Sequence, residues 1–315
     1  MRALLLATVI MMVLVTSPVP SVKAALPGSI TWAVTEHISS GNDHFNDVAV
    51  DASGVYVVGD DSNTAGGDSE WRIEKRSLTT GATIWAISEQ IGDGTDTAKG
   101  VAVDASGVYV VGLDTPNPPS TAREWRIEKR SLTTGAFITT FGTNGVITES
   151  AGGNDQAWGV AVDASGMYVV GYDSVPVSST AFRIEKRSLT TGAFITTFGT
   201  NGAISEDISS GNEVGARVAV DASGIYIAGV DQNTSGNKYE WRVEKRNLTT
   251  GATIWTQSEH ISTGDDWAVD VAVDASGAYF VGGDQKGICP AACFQLGDRG
   301  RAYVRRHPSA RPGLY

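Results

Sequence analysis

The chain has 315 residues, 24 Lys plus Arg against 35 Asp plus Glu, a net charge of −11 and 37 glycines. This acidic balance excludes nucleic acid as a partner, since holding phosphates needs a basic footprint. Abundant Gly, Ser and Thr, with no heptad or helical periodicity after the first segment, is the composition of a soluble all-β protein.

Residues 1–24 carry Arg2, an apolar run over 3–15, Ser17-Pro18 and a small-residue site at Val22-Lys23-Ala24. These are the parts of a secretory signal peptide, with cleavage expected after Ala24. The apolar run falls short of the roughly 20 residues that span a bilayer. The mature chain is therefore expected to be secreted or held at the cell surface, as a monomer, without membrane insertion.

The segment SITWAVTEHIS (29–39) matches ATIWAISEQI (82–91) and ATIWTQSEHIS (252–262), so it is the end of a repeat standing first. The heart of the repeat is VAVDASG, starting at Val48, Val101, Val160, Val218 and Val271, at intervals of 53, 59, 58 and 53 residues. Val48-Ala49-Val50 and Val55-Tyr56-Val57-Val58 are β-forming runs on either side of Asp51-Ala52-Ser53-Gly54. Asp at the first place of that tetrapeptide bonds its own backbone further on, and Gly accepts positive φ, so each copy predicts a hairpin. A polar loop, a strand such as WRIEKR (71–76), a turn LTTG (78–81) and a last strand complete the unit.

Four antiparallel strands, here a to d, repeated at about 40 to 50 residues are the blades of a β-propeller. Five copies of strand a predict five blades over 25–307, with 308–315 as a tail. The orphan strand d at 30–35 is expected to pair with the blade that begins at Val271 and close the ring. Strand c alternates Trp71, Trp125, Phe182 and Trp241 with the pairs Arg72–Glu74, Arg126–Glu128, Arg183–Glu185 and Arg242–Glu244. Half-buried charges need partners, which predicts a ladder of Arg–Glu contacts across the blade interfaces.

The hairpin VAVDASGVYVVG, with the GND or GDD segment before it, resembles the SBBP-type bacterial β-propeller repeat. In the second half of the third unit, FRIEKRSLTTGAFITTFGTNGAIS (182–205) is similar to the Delta-60 repeat, whose hallmark is T-x-FG-x-x-G. These likenesses cover 29–284; they imply a propeller in a secreted or surface setting and no activity, because such repeats occur in proteins of many functions. After Asp284 the acidic pattern gives way to a basic tail, read either as a diverged strand c or as a shifted reading frame hiding further blades. Cys289 and Cys293, the only cysteines, are expected to form a local disulfide in an exported chain.

No catalytic residue is indicated, since no G-x-S-x-G, H-E-x-x-H, P-loop or dinucleotide fingerprint occurs. Two positions are acidic in every unit: Asp43, Asp96, Asp155, Glu213 and Asp266 before the hairpin, and Asp61, Asp114, Asp173, Asp231 and Asp284 after it. Both fall on one face of the disc. They are expected to bond their own loops, with oxygen-ligated Ca²⁺ as the alternative and no other cofactor. Trp158 and Trp267 break the repeat beside this face, with His44 and Phe45 at the equivalent loop of the first unit, as capping residues or as a platform for a ligand. Asn233 and Asn247 stand in N-x-S/T contexts. The function expected is a non-catalytic scaffold binding a protein or glycan through the acidic, loop-rich face. A glycoside hydrolase-like propeller, needing two unlike carboxylates about 5 to 9.5 Å apart, and a purely structural repeat protein are the alternatives.

Overall fold

Each hairpin is fixed by its own turn. A computed structural model describes residues 30–36, 38–62, 68–92, 94–116, 122–175, 179–233, 238–284, 292–296 and 302–305. In it Asp51 Oδ1 accepts hydrogen bonds from Ser53 N at 2.7 Å, Ser53 Oγ at 2.8 Å and Gly54 N at 3.0 Å. Asp104, Asp163, Asp221 and Asp274 repeat the arrangement. The same Ser53 Oγ accepts from Lys75 Nζ at 2.8 Å, and Lys75 also donates to the Leu132 carbonyl of the next unit. A turn residue, a strand-c lysine and the neighbouring repeat are thus tied together.

The first sheet is β1 (Asp43–Asp51), β2 (Gly54–Ser62), β3 (Ser69–Arg76) and β4 (Thr83–Glu89). The second is β5 (Thr97–Asp104), β6 (Gly107–Asp114), β7 (Glu124–Arg130) and β8 (Val146–Glu149). The third is β9 (Gln156–Asp163), β10 (Gly166–Val175), β11 (Ser179–Arg187) and β12 (Ala203–Glu206). The fourth is β13 (Glu213–Asp221), β14 (Gly224–Asn233), β15 (Lys238–Arg246) and β16 (Thr253–Glu259). The fifth is β17 (Asp266–Asp274), β18 (Gly277–Asp284), β19 (Ala292–Leu296) and β20 (Ala302–Arg305). Every sheet is antiparallel and in chain order, so the described residues form an all-β propeller of four-stranded blades.

Successive strands a pack on one another from β1 to β5, β9, β13 and β17 and make the inner wall. Between blades the core is Trp71, Trp125, Phe182 and Trp241 of strand c with the apolar residues of the next strands a and b. Trp71 and Trp125 are fully buried and donate Nε1 to the Leu113 and Tyr172 carbonyls of the following blade. The indole packs one blade while its polar atom locks the next, as a buried tryptophan requires.

The ion-pair ladder differs from the expected one. Arg72 pairs with Glu74 on its own strand at 2.7 Å, as Arg126 does with Glu128. The bridge between blades is made by the second arginine of the motif: Arg76 to Glu36, Arg130 to Glu89, Arg187 to Glu149 and Arg246 to Glu206. Each Glu at the centre of the motif is buried between two guanidinium groups. Residues two apart on a strand share a face, so both arginines and the Glu between them stand in one row; the second arginine also lies against the acid of the preceding unit, and in the second blade Arg126 approaches Glu89 as well, at 3.7 Å.

The expected closure is not what the N-terminal segment does. Residues 30–36 form no strand, and β20 holds the fourth place of the last blade. Trp32 instead donates Nε1 to the Leu78 carbonyl at 2.9 Å and Glu36 pairs with Arg76. This repeats how Trp85 and Glu89 of β4 meet Leu132 and Arg130 of the second blade. The segment therefore keeps the outward contacts of a strand d and lacks the inward pairing. Val48 is 56% exposed, whereas Val101, Val160, Val218 and Val271 in the same place are 5–8% exposed, so the first blade leaves open the face that later blades bury. The signal segment and Cys289 lie outside the described residues, while Cys293 stands in β19.

Candidate functional site

Every strand a carries a β-bulge at one position. The pairing with strand b skips Asn46, Lys99, Trp158, Ala216 and Val269, each two residues before a VAVDASG start. Bulges re-aim a side chain and break the ladder locally. Within a nearly uniform repeat, this position holds five different residues, and the next holds Asp47, Gly100, Gly159, Arg217 and Asp270. The scaffold is symmetric here and the chemistry is not.

These residues meet around the inner wall. Lys99 Nζ lies 5.3 Å from the centre of the Trp158 ring. Arg217 donates to the Trp158 carbonyl at 3.0 Å and to the Asn46 carbonyl at 2.9 Å, so it joins the fourth blade to the third and first. Asn46 Nδ2 donates to Asp60 Oδ1 at 3.2 Å and to the Ala98 carbonyl at 2.9 Å. Asp60 also meets His44 Nδ1 at 3.3 Å. A Cβ on Gly100 would stand 2.9 Å from the Trp158 carbonyl, and one on Gly159 would stand 3.0 Å from Arg217 Cα. Glycine is needed at both places for neighbouring strands to approach.

The electrostatics are mixed. Burial lowers the Lys99 pKa from the usual lysine range; Asp60 opposes this, and Arg217 and Arg123 add to it. Burial raises Asp47, with Arg217 opposing and Asp270 reinforcing. Both Asp47 oxygens already accept backbone hydrogen bonds, from Val48 N and Val101 N at 2.9 Å each. The Trp158 Nε1 donor is buried without a partner among the described residues.

The residues singled out in the sequence are placed apart. Trp158 belongs to the inner ring. His44 and Phe45 line a cleft of about 210 Å³ with Val34, Glu36 and Asp43, between the N-terminal segment and β1. Trp267 lies in β17 opposite Gly283, in another blade. Lys99, Arg217, Asn46, Asp47 and Asp60 were not singled out, although the two variable places before each VAVDASG start were a signal for Asn46 and Lys99 at the first and for Asp47 and Arg217 at the second.

The repeated acids face each other in pairs across strands a and b, as in Asp43 with Asp61 and Glu213 with Asp231. The first set bonds its own loops. Asp96 Oδ2 accepts from Ile91 N and Gly92 N, Asp155 Oδ2 from Ala151 N, Glu213 Oε1 from Ser209 N, and Asp266 Oδ2 from Ile261 N and Ser262 N. Asp43 Oδ2 accepts from Ile38 N at 2.9 Å. In the second set Asp173 pairs with Arg183 at 2.6 Å, while one oxygen each of Asp61, Asp114 and Asp231 is buried without a partner among the described residues. Burial, reinforced by Asp96, pushes Asp114 up to about 6, and burial pushes Glu213 up to about 7. Burial disfavours the charged form and the facing acid adds to this, so each of these groups keeps its proton to a higher pH than a free carboxyl does. Among the described residues, no group of three or more His, Cys, Asp or Glu side chains is placed to hold a metal ion. Asn247 is exposed and caps its turn by accepting from Thr249 N at 2.9 Å, and Asn233 ends β14.

No family model matches the chain, and no curated protein does. Among solved structures it is similar to a GH43_1 enzyme from Xanthomonas citri complexed with xylose, with 9% identity over 82% of this chain and 89% of that one and a TM-score of 0.48. It is also similar to an exo-1,5-α-L-arabinanase from a bovine ruminal metagenomic library, with 6% identity over 83% and 95% and a TM-score of 0.42. A subtype N10 neuraminidase-like protein of A/little yellow-shouldered bat/Guatemala shares 8% identity over 66% of this chain, with a TM-score of 0.44. The chain spans 57% of that protein's length.

Proposed function

We propose that this chain is an exported, ligand-binding β-propeller whose site is the ring of bulge residues on the inner wall, at the loop-bearing face. The observation that carries the reading is the divergence of the bulge position and the one after it among repeats that are otherwise nearly alike, which brings Lys99, Trp158 and Arg217 together. Identical repeats build a frame; the residues that differ where the frame converges are the ones a ligand reads. A cation over an indole face, beside Asn and Asp side chains, suits a polar ligand with an apolar side, such as a sugar.

Binding without turnover is favoured over hydrolysis. A glycosidase acid must present a carboxyl oxygen to the opening, and the half-buried Asp47 spends both oxygens on backbone N–H groups. Ca²⁺ has no part in the reading, because the acids before each hairpin bond their own loops and no three such groups converge on one point among the described residues. A glycan and peptide array probed with the wild-type chain and with Lys99→Gln and Trp158→Ala tests it. Array signals that both substitutions abolish support the site; signals unchanged in both variants contradict it.

A further inference from the structure

Two further departures from the repeat meet between the second, third and fourth blades. Two residues before the strand-c aromatic stand Ser69, Arg123, Thr180 and Tyr239, and twelve residues after each VAVDASG start stand Asp60, Leu113, Tyr172, Val230 and Gly283. The backbone treats the first two blades alike: Asp96 N donates to the Ser69 carbonyl and Asp155 N to the Arg123 carbonyl, at 2.9 Å each. The side chains differ. Ser69 Oγ donates to the Asp96 carbonyl at 3.0 Å and Thr180 Oγ1 to the Glu213 carbonyl at 2.9 Å. The Arg123 guanidinium makes neither ion pair nor hydrogen bond among the described residues, whereas Arg72, Arg126, Arg183 and Arg242 of strand c are all paired.

Arg123 and Tyr172 line one open cleft of about 470 Å³, with Asn154, Ser174, Thr180 and Asn212. That volume is in the range of small-molecule sites. No acidic residue lines the cleft, although the chain holds 35. Asp155 and Asp173, next in the chain to Asn154 and Tyr172, are engaged elsewhere: Asp155 Oδ1 accepts from Ser174 N at 2.7 Å and Oδ2 from Ala151 N, and Asp173 pairs with Arg183. The lining is also held in place. Trp125 Nε1 donates to the Tyr172 carbonyl at 2.9 Å, and Ser174 Oγ to the Asn154 carbonyl at 2.7 Å. Burial pushes the Tyr172 phenol up to about 12, against the pull of Arg123, so its hydroxyl stays a neutral donor.

The hydrogen-bonding groups still free in the cleft decide the ligand. Among the described residues, Arg123, Asn154 Nδ2 and the Tyr172 hydroxyl keep N–H or O–H groups to donate. Ser174 Oγ and Thr180 Oγ1 each donate already and keep lone pairs, and Asn212, whose Nδ2 donates to Gln232 Oε1 at 2.8 Å, keeps its side-chain oxygen. We propose that this cleft binds a single sugar acid, a monosaccharide bearing one carboxylate. The carboxylate takes the two-pronged guanidinium of Arg123, the sugar hydroxyl groups donate to the Ser174, Thr180 and Asn212 oxygens, and the ring packs on Tyr172. Inorganic phosphate offers too few donors for those oxygens. A peptide is bound through an extended groove or a strand edge, which side chains around an open cleft do not supply. The site is separate from the inner ring and stands whether or not that ring takes a ligand.

Calorimetric titration of the full chain with D-galacturonate, D-glucuronate, D-galactose, inorganic phosphate and N-acetyl-dialanine, repeated with Arg123→Ser and Tyr172→Leu, tests this. Each substitution copies the residue that the preceding blade carries in the same place, Ser69 and Leu113, so both variants are expected to melt like the wild type. If either does not fold, Arg123→Gln or Tyr172→Phe replaces it. At least one of the two uronates is expected to bind, about tenfold more tightly than galactose and about tenfold more weakly in Arg123→Ser, the loss of a charged hydrogen-bonding partner. Tyr172→Leu is expected to weaken it as well. Galactose binding as tightly as the uronates, or a uronate affinity unchanged in Arg123→Ser, overturns the carboxylate assignment. A uronate affinity unchanged in Tyr172→Leu overturns the cleft as its place. Tighter binding of phosphate or of the peptide than of either uronate, or no binding by any probe, overturns the proposal.

Discussion

Arg217 of the fourth blade donates to the Asn46 carbonyl of the first, 2.9 Å away, across the inner wall. The same guanidinium holds the Trp158 carbonyl and so sets the bulge on which the candidate site stands. Replacing Arg217 by Gln should cost about 1 to 3 kcal/mol, as expected for hydrogen bonds to a charged group. Urea unfolding of the variant measures this. An unchanged midpoint would show that the bulges hold without the bridge.

The buried Glu128 lies between Arg126 and Arg130, and Arg130 also reaches Glu89 of the preceding blade. Arg130→Met removes one partner and leaves buried carboxylates under-paired, a change that costs about 3 to 5 kcal/mol when a buried pair is broken. Adding Glu89→Gln, which relieves one under-paired carboxylate and leaves Glu128 on Arg126, should recover part of that loss. Thermal melts of the single and double variants decide it, and a double variant no more stable than the single one contradicts the account of the ladder.

Stability should also depend on pH in an unusual direction. Glu213 and Asp114 bind a proton more tightly when folded, at about 7 and about 6. A group whose folded pKa is raised stabilises fully below its unfolded pKa and loses that contribution as pH climbs through the folded one. The melting temperature is therefore expected to rise as pH falls from about 7.5 to about 5. Glu213→Gln keeps an oxygen for the Ser209 N–H group and should be more stable than wild type by about 1 kcal/mol near neutrality, with a flatter profile. A melting temperature that falls over the same range would refute the claim that burial raises these two groups.

The propeller was legible because the fold repeats its instructions. Asp51 and its four counterparts form the turns for which they were marked, and the strand-c tryptophans are core residues as the alternation required. The ladder was half legible: alternation places Arg72 and Glu74 on one side, yet only packing decides that Arg76 is the residue that reaches back to Glu36 of the preceding segment. The closing strand misled because Trp32 and Glu36 carry the strand-d contacts outward, which sequence similarity records, while pairing inward depends on which strand c stands beside them. The bulge was hidden for another reason. One skipped residue in a register leaves no composition mark, and Lys99 and Arg217 look like ordinary surface charges until the strands are paired.

Glycine at the bulge offers a check on that geometry. Gly159→Asp copies the residue that the first and fifth blades carry there, but its Cβ would meet Arg217 Cα at 3.0 Å and the Ala216 carbonyl at 3.1 Å. Backbone cannot yield as a flexible side chain can, so the substitution should destabilise by about 1 to 3 kcal/mol, in the range of overpacking. Equal stability in a melt would mean that the inner wall is looser than described.

The most direct test of the inner ring is a crystal structure of the chain soaked with the strongest ligand from the array. The account predicts ligand density over the Trp158 ring and within hydrogen-bond distance of Lys99 Nζ. Density confined to the cleft beside His44 and Phe45, or to the turn-bearing face at Asp51 and its counterparts, would contradict it.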